Sequence, residues 1–221
     1  MQDSGRRTGS RRRFLAGAAA TVAAGLAGCG GLVSQPGSGG TATARDVSLP
    51  APTLGSDDAP VTVGVYKDLA CPACRQFNAQ VKPNIASEYV EQGVVRYEHY
   101  DFPLDMHEPQ SYTAANAARA VQHEADDETF FAFTDRLFDN QSDLGPGTYA
   151  DLADEEGVDG DAVRSAAEGR TFRTVIREDK QQGIDAGVRG TPTVVVDGSM
   201  LDGFGWGTVR SAIESARPDG G

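Results

Sequence analysis

The apolar positions change their period along the chain, and each period predicts an element. Val61 to Tyr66, V-T-V-G-V-Y, is short and β-branched and predicts a buried strand. From Pro72 to about Gln92, Phe77, Val81, Ile85 and Tyr89 recur every four residues and predict a helix with one apolar stripe, kinked at Pro83. Val94 to Tyr100 alternates and predicts a second strand. From about residue 109 to 187 the pattern is helical: Ala114, Ala115, Ala117, Ala118 and Val121 suit one helix, and Phe130, Phe131, Phe133, Leu137 and Phe138 a second. Gly145 to Gly147, G-P-G, breaks the run. Tyr149, Leu152 and Ala153 open a short helix, and Asp161 to about Ala186 reads as one or two more, interrupted near Gly169. Thr193 to Val196 predicts a third strand and Met200 to Phe204 a fourth, joined by Asp197-Gly198, a type I′ turn signal. Thr208 to Ala216 predicts a last helix, with residues 218–221 a frayed tail.

The order is strand, helix, strand, helical insert, strand, strand, helix. A crossover helix between the first two strands makes them parallel, and the turn makes the last two a hairpin. The expected fold class is α/β, a mixed β-sheet with a helical insertion.

The first 56 residues follow other rules. Arg11, Arg12 and Arg13 precede a weakly apolar run beginning at Phe14, too short and too rich in Ala and Gly for a membrane span. Residues 1–28 therefore read as a targeting segment. S-R-R-R-F-L, Ser10 to Leu15, resembles a twin-arginine export signal, and L-A-G-C, Leu26 to Cys29, resembles a lipoprotein box, which implies lipidation of Cys29. Residues 29–56 are dominated by Gly, Ser, Thr and Pro and predict a flexible tether between a lipid anchor and the domain at 57–217. The expected location is the extracytoplasmic face of the cell membrane.

Charge narrows the partners. The chain of 221 residues has 20 Lys plus Arg against 32 Asp plus Glu. Residues 1–28 hold five of the Arg and one of the acids, which leaves a net −16 on the remainder. No nucleic-acid partner is expected, because binding needs a basic patch. Only three residues are Lys; this acidic, lysine-poor composition resembles that of proteins from salt-loving organisms.

Two of the three cysteines, Cys71 and Cys74, form C-P-A-C directly after the first strand and at the start of a helix. A sulfur at a helix N-terminus meets unpaired N–H groups and the positive end of the macrodipole, which favour its thiolate. Cys71 is thereby the expected nucleophile. Cys74, one turn on and more buried, is placed to resolve a mixed disulfide. Pro72 suits the first helical position, where its missing N–H costs nothing. Metal is not expected. Zinc takes four ligands, whereas the remaining candidates are Cys29 and the scattered His99, His107 and His123. A static staple would close a tiny loop and remove little chain entropy. No cofactor is expected beyond the Cys71–Cys74 disulfide itself.

The segment D-D-A-P-V-T-V-G-V-Y-K-D-L-A-C-P-A-C (Asp57 to Cys74), Y-D-F-P-L (Tyr100 to Leu104), L-F-D-N-Q (Leu137 to Gln141) and G-V-R-G-T-P-T-V-V-V-D-G (Gly187 to Gly198) occur in the order of a known family. Together they resemble the DsbA-like thiol–disulfide oxidoreductases, a thioredoxin fold with a helical insertion. The resemblance implies that Cys71 attacks, Cys74 resolves and Pro192 is a cis proline. Thr191 before it would offer its backbone to an extended substrate. Asp68 matches an acidic position of the family and implies a proton acceptor for Cys74; Glu98 and His107 are weaker candidates for that role. Strongly oxidising members carry His between the cysteines, where this chain has Ala73, so the direction of electron flow stays open. The implied partners are thiols and disulfides of exported proteins and a separate redox partner. No dimerisation arm is evident, so a monomer is expected. The alternatives are a reductase or isomerase for the same clients, or a non-catalytic chaperone or metallochaperone on the same scaffold.

Overall fold

The computed structural model describes residues 47–218; the targeting segment, Cys29 and the last three residues lie outside the described residues. Five strands form one sheet: β1 (Thr53–Leu54), β2 (Val61–Lys67), β3 (Val95–Asp101), β4 (Thr193–Val196) and β5 (Ser199–Met200). Their order is β1-β3-β2-β4-β5. β2 lies parallel to β3, with Val65 opposite His99, and antiparallel to β4, with Val65 opposite Val194. The sheet is thus mixed and β2 central, as its β-branched run predicts. The crossover and the hairpin both form. At the hairpin Asp197 and Gly198 take φ of 44° and 78°, the two left-handed residues a type I′ turn requires.

Nine helical segments surround the sheet among the described residues. They comprise α1 (Pro72–Gln80), α2 (Lys82–Ile85), a π turn (Ala86–Val90), α3 (Gln110–Glu124), α4 (Asp127–Asp139), α5 (Pro146–Glu155), α6 (Gly160–Gly169), α7 (Arg173–Asp185) and α8 (Trp206–Ala216). Two short 3-10 turns, Asp105–His107 and Gln141–Asp143, lie between them.

Four expectations shift. The helix expected over 72–92 is broken rather than kinked. Pro83 cannot donate to the carbonyl of Ala79 and crowds it, so α1 stops at Gln80 and α2 restarts with Pro83 in its first turn. The apolar stripe survives the break, since Phe77, Val81, Ile85 and Tyr89 are all buried. A spacing of four drifts about 40° per step on a 3.6-residue helix, and the wider π turn returns Tyr89 to the core. Residues 47–56, assigned to the tether, join the domain: Thr53 and Leu54 pair with Glu98 and Tyr97, and Val47 and Leu49 pack on the core. The fourth strand is Ser199–Met200 rather than 200–204, because Gly203, at φ 118°, turns the chain away. The last helix starts two residues early, with Trp206 against Tyr89.

The two faces of the sheet carry different cores. Val61, Val63, Val65, Val95, Tyr97, Val194 and Val196 face α1, α3, α4 and α8. On the other face Tyr66, Phe102 and Val188 form a smaller cluster under α7. There Tyr66 stacks on Tyr100 at 4.9 Å, and Gly183 of α7 sits so close that a Cβ would lie 2.9 Å from both the Tyr66 and Phe102 rings.

A buried ion network joins the insert to the sheet. Arg119 of α3, fully buried, donates from Nε to Asp101 of β3 at 2.7 Å and from Nη2 to Asp179 of α7. Its Nη1 reaches the carbonyl of Pro50 at 3.0 Å, which also ties down the N-terminal segment. One cation serves two carboxylates. Asp101 is held down at about 2 by Arg119 and His99 against its burial, while burial and Asp101 push Asp179 up to about 7.

Candidate active site

Strand β2 ends at Lys67 and the chain turns through Asp68, Leu69 and Ala70 into α1. The carbonyl of Asp68 accepts from the N–H of Cys71 at 3.0 Å, which fixes the turn. Cys71 is the N-cap, with extended backbone (φ −83°, ψ 124°), and Pro72 follows at the first helical position. Both cysteines are free thiols here; Cys71 keeps 6% of its surface exposed and Cys74 none.

The two sulfurs are driven apart in acidity. Cys71 is lowered to about 5, chiefly by the Cys74 thiol donating to its sulfur. The Thr191 hydroxyl and the N–H groups of Cys74 and Ala73 pull the same way, against burial. Cys74 is raised well above an ordinary thiol by burial, and further by holding its proton toward Cys71. The N–H of Asp68 faces the Cys74 sulfur at 3.4 Å.

The third wall is the turn before β4. The Thr191–Pro192 bond is cis, and in its thiol form Cys71 donates to the Thr191 carbonyl at 3.5 Å. The structure thus brings together Cys71, Pro72, Ala73, Cys74, Thr191 and Pro192. It also buries the Thr191 hydroxyl without an ordinary hydrogen-bond partner, near enough to both sulfurs to favour their thiolates.

Asp68 is in place, yet its carboxylate is fully engaged elsewhere. Oδ1 accepts from the Ala70 N–H at 2.8 Å; Oδ2 meets the Leu104 N–H (3.2 Å), His107 Nδ1 (2.7 Å) and the Ser111 hydroxyl (3.0 Å). It is the post to which the start of the insert is tied, and only its backbone touches Cys74. His107 therefore belongs to this tie. Glu98 lies on the other face of the sheet, accepting from Tyr100 at 2.6 Å.

Two residues at the site escaped the sequence reading. Gln141 donates from Nε2 to the carbonyls of Leu69 (2.9 Å) and Cys71 (3.0 Å), clamping the turn from the insert. Its signal was present in L-F-D-N-Q, where it closes the motif. Lys67, buried at the end of β2, has no hydrogen-bond partner for its amine. Beside Cys71 a surface groove of about 560 Å³ is lined by Pro72, Arg75, Gln76, Gln80 and Gln141 among others, with no carboxylate.

A family model described as "Thioredoxin" matches residues 48–215. Disulfide bond formation protein D of Bacillus subtilis is 29% identical over 170 residues, 74% of this chain and 75% of that one. The crystal structure of oxidised BdbD from Bacillus subtilis superposes with a TM-score of 0.70 at 28% identity, covering 75% of this chain and 92% of that chain. Chlamydia trachomatis DsbA shares the fold, with a TM-score of 0.68 at 20% identity over 76% of this chain and 92% of that one.

Proposed function

The chain belongs to the thioredoxin family and is a DsbA-like protein disulfide oxidoreductase, and from that premise we propose that it forms disulfides in exported proteins outside the cell membrane. The observation that carries the direction is the opposed acidity of the pair, with Cys71 at about 5 and Cys74 raised. A stabilised thiolate stabilises the dithiol, so the disulfide gives up its bond readily. With Ala73 in place of an imidazole, that stabilisation comes from Cys74, Thr191 and two backbone amides. It supports a potential above thioredoxin's about −270 mV and below DsbA's about −120 mV.

In the cycle, a client thiolate attacks the Cys71 sulfur of the disulfide and Cys74 leaves. A second client thiolate then attacks the client sulfur of the mixed disulfide. The client gains a disulfide and the enzyme leaves as dithiol, to be reoxidised by a separate redox partner. The test is turnover on a reduced, unfolded client, with the potential of the Cys71–Cys74 couple measured in high salt. Cys71→Ser should abolish turnover; full activity in that variant overturns the reading. A potential near −270 mV would assign the enzyme to client reduction instead.

The leader supports the location. The twin-arginine-like Ser10 to Leu15 and the lipoprotein-like Leu26 to Cys29 support an export route that ends with a lipid on Cys29, and the reading takes the domain as a monomer. The acidic surface suits a salt-rich surrounding. Mass spectrometry of the membrane-extracted protein should find a lipidated N-terminal Cys29; an unmodified Cys29 overturns the anchor.

A further inference from the structure

A cleft crosses the turn that carries Cys71. One wall is the outer face of α1, where Pro72, Gln76 and Ala79 follow at helical spacing and Arg75 stands beside them. The other is the 3-10 turn of the insert, with Gln141 and Ser142. Ala70 and Pro72, the chain neighbours of Cys71, both line this groove of about 560 Å³. A second hollow of about 250 Å³ shares Ala70, Gln141 and Ser142 with it and extends to His107 and Gln110. Gln141 also holds the carbonyl of Cys71 at 3.0 Å, so the walls are fixed relative to the nucleophile before any client arrives.

The charge along this cleft differs from that of the domain. The chain beyond residue 28 carries a net −16, yet no carboxylate lines either hollow. Side-chain amides and a hydroxyl line them instead, and the one permanent charge is Arg75. Arg75 is exposed and, among the described residues, makes no ion pair and no hydrogen bond. Asp135 and Asp139 lie round the helix, in a pocket that Arg75 and Ala79 also line, and Asp135 is engaged there by Lys82 and Asn78. His107, at the far end of the cleft, is tied through Nδ1 to Asp68 at 2.7 Å. The guanidinium of Arg75 is thus the cation of the cleft that nothing in the domain has claimed.

We propose that this cleft seats the client segment around the reacting cysteine and selects segments that carry Asp or Glu, with Arg75 the specificity-determining residue. This rests on the exchange activity proposed above. An acidic client approaching the domain meets a field of its own sign. In the cleft it meets no carboxylate, and the unclaimed guanidinium can take its carboxylate in a two-pronged hydrogen bond. The glutamine amides both donate and accept, so they suit the main chain of an extended segment whatever its side chains. Arg75 lies four residues beyond Cys71, about 6 Å along α1. At roughly 3.3 Å per residue, an extended client presents the matching carboxylate about two residues from its cysteine.

The test uses the disulfide form and three single-cysteine peptides, with Glu, Gln or Lys two residues to either side of the cysteine. It is run in about 1 M salt, where a Debye length of about 3 Å removes the long-range field of the domain. A peptide thiolate attacks the Cys71 sulfur, the Cys71–Cys74 bond breaks, and Cys74 departs with the electron pair. A second peptide thiolate attacks the sulfur of the first, Cys71 departs, and a peptide disulfide and the enzyme dithiol result. Loss of the Cys71–Cys74 disulfide is read by acid quench and mass spectrometry, with rates taken per thiolate from each peptide's own titration. The wild type should favour the Glu peptide over the Lys peptide about threefold or more, and Arg75→Glu should reverse that order. The comparison is between peptides on one enzyme, so a change in the reactivity of Cys71 itself cancels. A Glu-to-Lys ratio that Arg75→Glu leaves unchanged, or a wild type that favours the Lys peptide, overturns the proposal. A wild type that oxidises none of the three overturns the exchange activity instead.

Discussion

The side-chain amide of Gln141 donates to the main-chain carbonyl of Cys71 at 3.0 Å, so the helical insert holds the nucleophile's own backbone from seventy residues away. The same nitrogen reaches the Leu69 carbonyl, and the turn into α1 is pinned at both ends. Gln141→Ala should cost about 1–2 kcal/mol in denaturant unfolding. It should also raise KM for a protein client several-fold, because the groove beside Cys71 loses one wall. Steady-state oxidation of a reduced client reads this.

The Cys71 thiolate sets a pH signature. Alkylation of the reduced protein should rise through an inflection near pH 5, where Cys71 ionises. Its folded pKa lies below that of an unfolded thiol, about 8.5. The stability it contributes to the reduced form is therefore complete above about pH 8.5 and lost as pH falls through about 5. Unfolding of the reduced and disulfide forms, compared from pH 4 to 9, should show the reduced form gaining across that window.

Asp68→Asn separates the tie from proton transfer. The amide places an N–H₂ against the Leu104 N–H or sacrifices the Ala70 contact, and loses a charge that accepts four hydrogen bonds. A loss of roughly 2–3 kcal/mol is expected. Reduction of a small disulfide by the dithiol form should keep its wild-type pH profile, as the carboxylate's hydrogen bonds go to Ala70, Leu104, His107 and Ser111.

Arg119→Gln should cost about 3–5 kcal/mol at neutral pH, since it leaves Asp101 and Asp179 buried without their cation. Acid should narrow the gap. Removing Arg119 raises the pKa of both carboxylates; Asp179, already at about 7 with Arg119 present, is then protonated at neutral pH, and the variant recovers stability as Asp101 protonates on lowering the pH. Wild-type Asp101, lowered to about 2, meanwhile keeps its contribution until pH falls through that value. Urea unfolding at pH 5 and pH 8 checks both signs.

Much of this was legible because it is periodic or chemically singular. β2 and the Phe-rich α4 bury large side chains at spacings only one element satisfies. C-P-A-C after a strand, and a proline just before one, are rare enough to mark their places. Other features follow from contacts at a distance. β1 is two residues long, too short for any alternation, and exists because β3 offers it an edge. The break at Val81 depends on how a proline meets the turn before it. Lys67 reads as a strand-end lysine with its head in water; only the packing of Tyr97 and Phe138 above it reveals that it is dry. Asp68 was found by position but its hydrogen-bond partners were not, since Leu104, His107 and Ser111 come from a segment whose path the sequence leaves open.

Both margins of the sheet are finished by strands of two residues, Thr53–Leu54 on one side and Ser199–Met200 on the other. A long bare margin would act as a template onto which any extended polypeptide could lay itself and accumulate. Acting on exported proteins before they are fully folded, as proposed above, would bring such polypeptides to the enzyme continually. With its margins clipped to two residues each, this sheet offers an extended polypeptide little backbone to pair with, which leaves the turn at Cys71 and Thr191 as the place where a client can be held and released.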